Sequence, residues 1–349
     1  MNKRPTMSDV AALAGVHTAT ASRALNPSTS GLVNAATARR VRQAAEQLGF
    51  TPNSAARSLR TNRSFTVGVL LPDLTNPLFP PVVRGIEEAL SPRGYTALLA
   101  NTDNDEAKER TRFDALRGRQ VDGFIVATAQ REHPLLDQAH EAGVPIVLVN
   151  RRTDTRLFPW VAGDDATGMA LAVEHLVGLG HRFIAHVSGP QTMSTGVTRA
   201  QAFRAAAESA GIGPESAPAT IGEAYTVEAG ERATHELLDR HPETTAICAG
   251  NDLIALGALH AVKARGLRCP EDLSLVGFND MQFADEFQPP LTTVHVPHLD
   301  LGAEAARLLL EQLDRNEEKG APAPMAKTVL LPVLLVVRAS TAAPPAQRA

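Results

Sequence analysis

Cysteine is scarce in this chain of 349 residues, where Cys248 and Cys269 are the only two. Two thiols cannot build a disulfide framework or a cysteine metal cluster, so we expect a reducing cytosol. No apolar run reaches the roughly 18 residues of a membrane-spanning helix. The first residues also lack the apolar stretch of a secretory signal. We therefore expect a cytoplasmic protein without a membrane partner.

The sequence motifs of common α/β enzymes are missing as well. The chain contains no GxGxxG dinucleotide loop, no GxxxxGK[ST] phosphate loop and no GxSxG nucleophile elbow. Its eleven histidines are scattered, and none pairs with another at the spacing of zinc ligands. The adjacent carboxylates of "GDDATG" are explained by capping of a helix. We predict no enzyme, no cofactor and no metal site.

The charge of the chain is divided unevenly. Residues 1–63 carry nine Lys or Arg against Asp9 and Glu46, a net charge of +7, whereas the remainder carries −11. A compact cationic segment on an anionic body favours binding of a polyanion such as nucleic acid. A basic face that merely contacts solvent is the alternative, and the helical pattern of this segment decides between them.

The cationic segment begins with two short helices. Thr6 with Asp9 three residues later is typical of a capping box, and Gly15 permits a sharp turn after the first helix. This helix is expected to bury an apolar face, Val10, Leu13 and Ala14. A second helix is predicted from about Thr18 to Asn26, with Ala21 and Leu25 facing inward. Its outward face carries Thr18, Ala19, Ser22 and Arg23.

A third helix is predicted to begin near Asn34 and to end at Gly49, with Pro52 beyond it. Its apolar positions are Val41, Ala44, Ala45 and Leu48. Three short helices whose first two are joined by a glycine turn indicate a helix-turn-helix domain. The outward face of the second helix is then the surface that enters the major groove of DNA.

From Phe65 onward, apolar runs alternate with helical patterns. The predicted strands are "FTVGVLL", "TALLAN", "GFIVAT", "PIVLV", "FIAHVS", "TAICAG", "LSLVGF", "TTVHV" and "TVLLPVLLV". The predicted helices between them include 81–91, 105–119, 165–179, 197–210 and 251–265. This alternation predicts βαβ units and parallel sheets, and the number of strands predicts two doubly wound lobes.

Several of these strands end in polar residues. The segments are "LLPDLTN", "LVNRR", "HVSGP", "CAGND" and "VGFND". Ligands of open α/β sheets bind beyond the carboxyl ends of the strands. The Asn and Asp side chains there could hydrogen-bond a hydroxylated ligand, or they could cap the helices that follow.

Three long segments make the chain resemble the lactose/galactose repressor family of bacterial transcription factors. They are "TMSDVAALAGVHTATASRALN", "VRQAAEQLGFTPNSAARSLR" and "TVGVLLPDLTNPLF". The resemblance covers nearly the whole chain in the order of the family's motifs. It implies an N-terminal all-α helix-turn-helix DNA-binding domain and a two-lobed α/β effector domain like the periplasmic binding proteins.

The resemblance also implies roles for residues of the DNA-binding domain. Thr18, Ala19 and Arg23 would read base edges. Phosphate contacts would come from Thr6, Thr20, Ser22 and Asn26, and His17, where the family usually has serine, would add or alter one. Capping and solubility are the alternative roles of Thr20 and Ser22. The loop "NPSTSGLVN" is about two residues longer than usual in the family.

The segment "PNSAARSLRTNRS" matches the hinge helix of the family, which folds only on DNA. Asn53 would cap this helix, and Arg57 and Arg60 would flank Leu59. By the resemblance Leu59 inserts into the minor groove as an apolar wedge and kinks the duplex. Packing of Leu59 on the following domain is the alternative.

For the effector domain the resemblance implies a ligand site between the lobes. Its residues would be Leu78, Phe79, Asn150, Arg199, Tyr225, Asn251 and Asn279. Arg199 would hold the ligand, and Tyr225 would form an aromatic platform against it. Many sugar-sensing relatives carry aspartate at the position of Asn279, so this amide leaves the class of ligand open.

The predicted domains are 1–52 for DNA binding, 53–63 for the hinge, 64–340 for the effector domain and 341–349 for a disordered tail. The lobes would comprise about 64–162 with 294–324, and 163–293 with 325–340. The predicted function is a repressor of a pseudo-palindromic double-stranded operator, associated with the nucleoid and controlled by a small sugar-like effector. A homodimer built partly on the helix around Val82 to Ala89 is expected, or a tetramer. A cytoplasmic sugar-binding protein and an α/β enzyme are the alternative functions.

Overall fold

The computed structural model describes residues 5–25, 29–50, 63–315 and 326–346. The chain divides into two compact units, a head of Met1–Ser64 and a body of Phe65–Ala349. None of the helices in the described ranges is both long enough and apolar enough to cross a bilayer.

The described part of the head contains three α-helices. They are α1 (Met7–Leu13), α2 (Thr18–Leu25) and α3 (Ala35–Leu48). The capping box predicted at Thr6 and Asp9 is present at the start of α1. Asn34 accepts a hydrogen bond from the amide of Ala36 and so caps α3. Gly15 and Gly49 follow α1 and α3 in left-handed conformations, which end both helices as glycine permits.

The core of the head is made mainly of alanine. The buried side chains are Val10, Ala11, Ala14, Ala21, Ala24, Ala38, Val41, Ala44 and Ala45. The prediction that Leu13 faces this core was wrong, because Leu13 is 48% exposed and Ala11 takes its place. Ala24 rather than Leu25 is fully buried on α2, and Leu25 packs only partly against the core. Small side chains therefore let the three helices approach closely.

The body contains two six-stranded sheets, and its predicted fold class of two doubly wound lobes is confirmed. The first sheet has the order β11-β5-β4-β3-β1-β2, and all its pairs are parallel. Its strands are β1 (Thr66–Leu71), β2 (Thr96–Asn101), β3 (Gly123–Val126), β4 (Ile146–Val149), β5 (Trp160–Gly163) and β11 (Thr328–Leu331).

The second sheet has the order β12-β10-β9-β8-β6-β7 and is parallel except for the edge pair β10–β12. Its strands are β6 (Ile184–Ser188), β7 (Ala219–Ile221), β8 (Ala246–Ala249), β9 (Ser274–Asn279), β10 (Thr292–His295) and β12 (Leu334–Val336). We call the lobe around the first sheet the N-lobe and the lobe around the second sheet the C-lobe.

Helices cover both faces of each sheet. Those of the N-lobe are α4 (Phe79–Leu90), α5 (Glu106–Gly118), α6 (Pro134–Glu141) and α11 (His298–Arg315). Those of the C-lobe are α7 (Asp165–Gly178), α8 (Ser194–Ser209), α9 (Val227–Arg240) and α10 (Asp252–Ala264). Helices α5 and α6 form one apolar layer and α4 with α11 the other, while α9 and α10 face α7 and α8 across the second sheet.

The chain crosses between the lobes three times. The first crossing joins β5 to α7, and the second joins β10 to α11. The third joins β11 to β12, so it lies between Leu331 and Leu334 and not near 325 as predicted. The run "TVLLPVLLV" is two strands in different sheets, because Pro332 has no amide to continue a ladder.

The end of the chain is better ordered than the sequence predicts. Nε2 of His175 lies 2.9 Å from Oγ1 of Thr341. The carbonyl of Ala342 lies 2.9 Å from Nε2 of His181 and accepts a hydrogen bond from the hydroxyl of Ser274. The prediction of a disordered tail from residue 341 was therefore wrong for these residues, whereas 347–349 lie outside the described ranges.

Two glycines bring α4 and α11 into close contact. A Cβ atom on Gly302 would lie 1.9 Å from the carbonyl oxygen of Val82, and one on Gly85 would lie 1.9 Å from that of Leu299. Both obstacles are backbone atoms, which cannot move aside as a flexible side chain can. The crossing of these helices therefore needs a residue without a side chain at both positions.

We expect Gly302→Ala to lower the free energy of unfolding by about 1–3 kcal/mol, because the added methyl group forces the helices apart. The measurement is thermal or urea denaturation of the purified protein. Gly118→Ala on α5 is the matched control, since no atom lies within 4 Å of its added Cβ. Equal stability of the two variants would contradict the close contact.

Candidate functional site

The outward face of α2 is the candidate DNA-reading surface. Thr18, Ala19 and Arg23 are exposed, and Ser22 is half-buried, as the predicted second helix requires. Oγ1 of Thr29 donates a hydrogen bond to the carbonyl oxygen of Arg23 over 3.0 Å, which ties the long loop to the end of this helix. The face therefore presents short side chains and the exposed guanidinium of Arg23, and the hydrogen bond from Thr29 fixes the end of the helix that carries them.

Two of the residues predicted to contact phosphates also act as helix caps. Oγ1 of Thr6 accepts from the amide of Asp9 and donates to its carboxylate. Nδ1 of His17 accepts a hydrogen bond from the amide of Ala19 over 3.2 Å at the start of α2. His17 thus performs the capping that the family's serine could provide. Thr20 is half-buried in the first turn of the same helix.

The remaining predicted DNA contacts lie outside the described residues. They are Asn26, Asn53, Arg57, Leu59 and Arg60.

A cleft between the two lobes of the body brings together all seven predicted effector residues. Its walls are Asn76, Leu78, Phe79, Asn150, Arg151, Thr195, Arg199, Tyr225, Asn251 and Asn279. The space among these side chains amounts to about 290 Å³, including the part that is open to solvent. They come from the carboxyl ends of strands and the first turns of the helices that follow, where ligands of this fold bind.

The N-lobe wall follows β1 and β4. The side-chain oxygen of Asn76 accepts from the amide of Leu78 over 3.0 Å and so shapes the turn into α4. Leu78 and Phe79 are then buried at the start of that helix. Asn150 directly follows β4 with a left-handed backbone at φ 67°, which turns Arg151 into the cleft.

The C-lobe wall contains the aromatic platform. The hydroxyl oxygens of Tyr225 and Thr195 lie 2.9 Å apart, which fixes the ring of Tyr225. The ring fits because a Cβ atom on Gly189 would lie 2.2 Å from it. The side-chain oxygen of Asn251 accepts from the amide of Ile254 over 2.9 Å and caps α10. Capping and cleft lining, which the sequence left as alternatives, are thus combined in Asn251.

Arg199 lies at the floor of the cleft in a buried ion pair. Its Nε and Nη2 donate to Oδ1 of Asp165 over 3.0 and 2.8 Å. Nη1 donates to the carbonyl of Gly250 over 2.7 Å, and Nη2 also reaches Oδ1 of Asn279 at 3.4 Å. The guanidinium stacks on Phe278, 3.8 Å from the ring centroid. Burial raises the pKa of Asp165, and Arg199 opposes that rise.

Arg151 is a cleft residue that the sequence prediction missed, together with Asn76 and Thr195. It is 5% exposed, and its guanidinium carbon lies 5.9 Å from the centroid of the Tyr225 ring in the other lobe. Burial lowers its pKa. The signal was present in "LVNRR", because Arg151 stands beside the predicted Asn150 at the end of a strand.

Hydrogen bonds across the mouth of the cleft join the two lobes. The amide of Arg131 donates to the carbonyl of Thr192 over 3.0 Å. The amide of Arg152 donates to Oγ of Ser194 over 3.0 Å. The structure is therefore a closed arrangement of the lobes, in which a bound ligand would contact both walls.

Behind Arg151, the N-lobe holds a buried carboxyl group. Glu109 is 4% exposed, accepts a hydrogen bond from Thr128, and lies 3.5 Å from Nε2 of His133. Burial raises the pKa of Glu109 from 4.5 to about 7 and lowers that of His133 from 6.5 to about 4. His133 is therefore neutral near pH 7, and Glu109 keeps its proton to a higher pH than an exposed carboxyl group does.

A helix-turn-helix head joined to a two-lobed cleft of this geometry defines a ligand-responsive DNA-binding regulator. The chain belongs to the lacI family of bacterial regulatory proteins. Residues 6–53 match the description "Bacterial regulatory proteins, lacI family", and residues 64–326 match "Periplasmic binding proteins and sugar binding domain of LacI family".

Individual relatives agree with this assignment. The ribose operon repressor of Halalkalibacterium halodurans is 36% identical over 89% of this chain and 91% of its own. The transcriptional regulator CelR in complex with cellobiose shares 34% identity, with a TM-score of 0.72 over 97% of this chain and 100% of that one. The Lac repressor dimer bound to operator and the anti-inducer ONPF has a TM-score of 0.82 at 27% identity, over 98% and 100%.

The raised pKa of Glu109 predicts a pH dependence of stability. The folded state loses stability relative to the unfolded state as the pH rises from 4.5 through about 7, because a buried carboxyl group must ionise. Glu109→Gln removes this loss. We expect the melting temperature of the variant, relative to that of the parent, to increase between pH 5 and pH 8.

Thermal denaturation across that pH range is the measurement. Glu141→Gln, at an exposed position at the end of α6, is the control and should show no such trend. A constant difference between the Glu109 variant and the parent would show that Glu109 ionises normally.

Proposed function

We propose that this chain is a repressor that binds an inverted-repeat operator as a dimer and is controlled by a small sugar-like effector in the cleft of the body. The observation that carries the proposal is the convergence of ten side chains from both lobes on one closed cleft. The relatives support it by their names, since one complex holds cellobiose and another an operator. The protein would act on the chromosome in the cytoplasm and would not catalyse a reaction.

The head would supply recognition of the operator. Arg23 has the reach for a bidentate contact with guanine, and the methyl groups of Thr18 and Ala19 suit thymine. The net charge of +7 on residues 1–63 would neutralise phosphates and make binding strongly dependent on salt. Thr6, His17, Thr20, Ser22 and Asn26 would position the head on the backbone.

The hinge would connect the two units functionally. In this proposal Asn53, Arg57, Leu59 and Arg60 form the hinge contacts, with Leu59 wedged into the minor groove. The effector would change the separation of the two hinges in a dimer. Leu59 would then leave the minor groove or be held in it. It can act only through unequal affinity for the two lobe arrangements.

A dimer would place two heads on the two halves of the operator. On α4 the inward residues Val82 and Ile86 are buried in the N-lobe's own core. The exposed residues Arg84, Glu87 and Glu88 are the part of this helix that would contact a second copy. A dimer of dimers is the alternative assembly, and sedimentation distinguishes the two.

Replacing the guanidinium on α2 tests base reading. We expect Arg23→Gln to reduce discrimination between the operator and a scrambled duplex by about 1–3 kcal/mol, because the contact with guanine is lost. Competitive fluorescence anisotropy on an operator selected from an inverted-repeat library measures this. Arg39→Gln, with the same loss of charge on α3, should weaken both duplexes alike, and the same pattern for Arg23→Gln would refute its reading role.

Replacing the buried ion pair at the floor of the cleft tests whether the effector controls operator binding from this site. Arg199→Leu alone would leave Asp165 buried without its partner and would destabilise the fold. The double variant Asp165→Asn with Arg199→Leu removes the charge pair together. We expect it to bind the operator like the parent but to lose the response to the effector, whose normal coupling is about 1–3 kcal/mol.

The measurement is operator affinity with and without a hit from a ligand screen on the parent protein. A thermal melt of the double variant checks that it folds. Retention of the effector response would contradict the placement of the effector site. Loss of operator affinity in a folded variant would contradict the separation of the two functions.

A further inference from the structure

Three asparagine side chains of the cleft use their oxygen atoms to accept hydrogen bonds from the protein itself. The side-chain oxygen of Asn76 accepts from Leu78, that of Asn251 accepts from Ile254, and that of Asn279 faces Nη2 of Arg199. Each of these oxygens has one of its two lone pairs engaged by the protein, whereas the NH₂ groups carry two donors each. Three amides therefore offer more hydrogen-bond donors than acceptors to a ligand.

The two arginines of the cleft differ in how well they are paired. Four of the five N–H groups of Arg199 have protein partners. Arg151 reaches only Oδ1 of Asn104, at 3.5 Å, and its buried Nε has no partner among the described residues. Glu109 interacts with Arg151 electrostatically, but among the described residues no carboxylate forms an ion pair with this guanidinium. A cation that is 95% buried without such a pair is costly unless something supplies acceptor atoms.

Negative charge is missing from the cleft wall. Among the described residues that line it, none is an aspartate or a glutamate. The nearest carboxylate on its floor, Asp165, is bound to Arg199. Helix α4 also begins at a lining residue, Phe79, so its positive end lies beside the same space. The amide donors, the arginine without an ion pair and this helix end all favour an acceptor-rich ligand.

We infer that the effector is an anion, a sugar or polyol that carries a carboxylate or a phosphate group, and that the anionic group binds Arg151. The inference rests on the proposed function of the cleft as the effector site. Each hydroxyl group of a neutral sugar brings a donor that needs an acceptor, and none of the described residues that line this cleft is a carboxylate that could receive it. An oxyanion matches the planar donor edge of a guanidinium and needs no acceptor from the protein.

Matched ligand triplets test this inference on the full-length protein. The panel contains D-ribose, D-ribose 5-phosphate and D-ribonate, and D-glucose, D-glucose 6-phosphate and D-gluconate, with inorganic phosphate as the minimal anion. Isothermal titration gives the dissociation constants. We expect at least one anionic member to bind about 10- to 100-fold more tightly than its neutral counterpart, as charge-assisted hydrogen bonds permit.

Three variants assign the preference to residues. Arg151→Gln should remove the advantage of the anion, while Arg151→Lys should retain part of it. Asn279→Asp should add a carboxylate to the wall, weaken the anion and favour the neutral sugar. Arg119→Gln is the matched control, because this exposed residue directly follows α5 and does not line the cleft. It should bind every ligand like the parent.

The inference is overturned if a neutral sugar binds as tightly as its acid and its phosphate, or if no anion of the panel binds. It is also overturned if Arg151→Gln and Arg119→Gln lose the same affinity. Failure of the proposed function gives a different result, namely tight binding of an anion that leaves operator affinity unchanged. A neutral sugar that releases the operator would uphold the proposed function and refute only the anionic effector.

Discussion

The cleft depends on the buried pair of Arg199 and Asp165. Asp165 begins α7 immediately after the chain first crosses between the lobes, and Arg199 lies on α8. The same guanidinium reaches the carbonyl of Gly250 after β8 and the side chain of Asn279 at the end of β9. One side chain thus ties the floor of the ligand site to a crossing segment. A ligand that contacts this floor is therefore connected to the segment that crosses between the lobes.

The three crossings restrict how the lobes can move. Two lobes joined by three strands of chain can bend about the crossings but cannot slide freely past each other. In the closed arrangement the lobes share the hydrogen bonds of Arg131 with Thr192 and of Arg152 with Ser194. A ligand stabilises this arrangement only if it binds here better than in the open one. The chemistry of the cleft wall therefore sets which ligands stabilise the closed arrangement.

Much of the fold could be predicted from the sequence, because hydrophobic periodicity and helix caps are local. Thr6 and Asn34 indicate where the helices α1 and α3 begin. Strand β2 has the predicted bounds. The strands β5 and β7 were missed because their sequences, WVAG and ATI, contain no run of adjacent Val, Ile or Leu residues. The strand pairing of the segment around Pro332 was also missed, since the choice of sheet depends on distant partners.

The site was predicted less completely. The resemblance to the family supplied seven cleft residues, and the structure places them together. Arg151 was not predicted as a cleft residue, because nothing in the local sequence distinguishes a buried arginine after a strand from an exposed one. The donor-rich character of the wall was equally hidden, since it depends on which backbone amide each asparagine oxygen accepts. Such pairings appear only once the chain is folded.

The central claim is that the cleft and the head are coupled, and binding reciprocity tests it most directly. The measurement is the dissociation constant of the effector for the full-length protein, determined with and without saturating operator duplex. The account predicts that the two constants differ by at least about fivefold, the same factor by which the effector changes operator affinity. Equal constants would show that the cleft does not control the head, and would contradict the account.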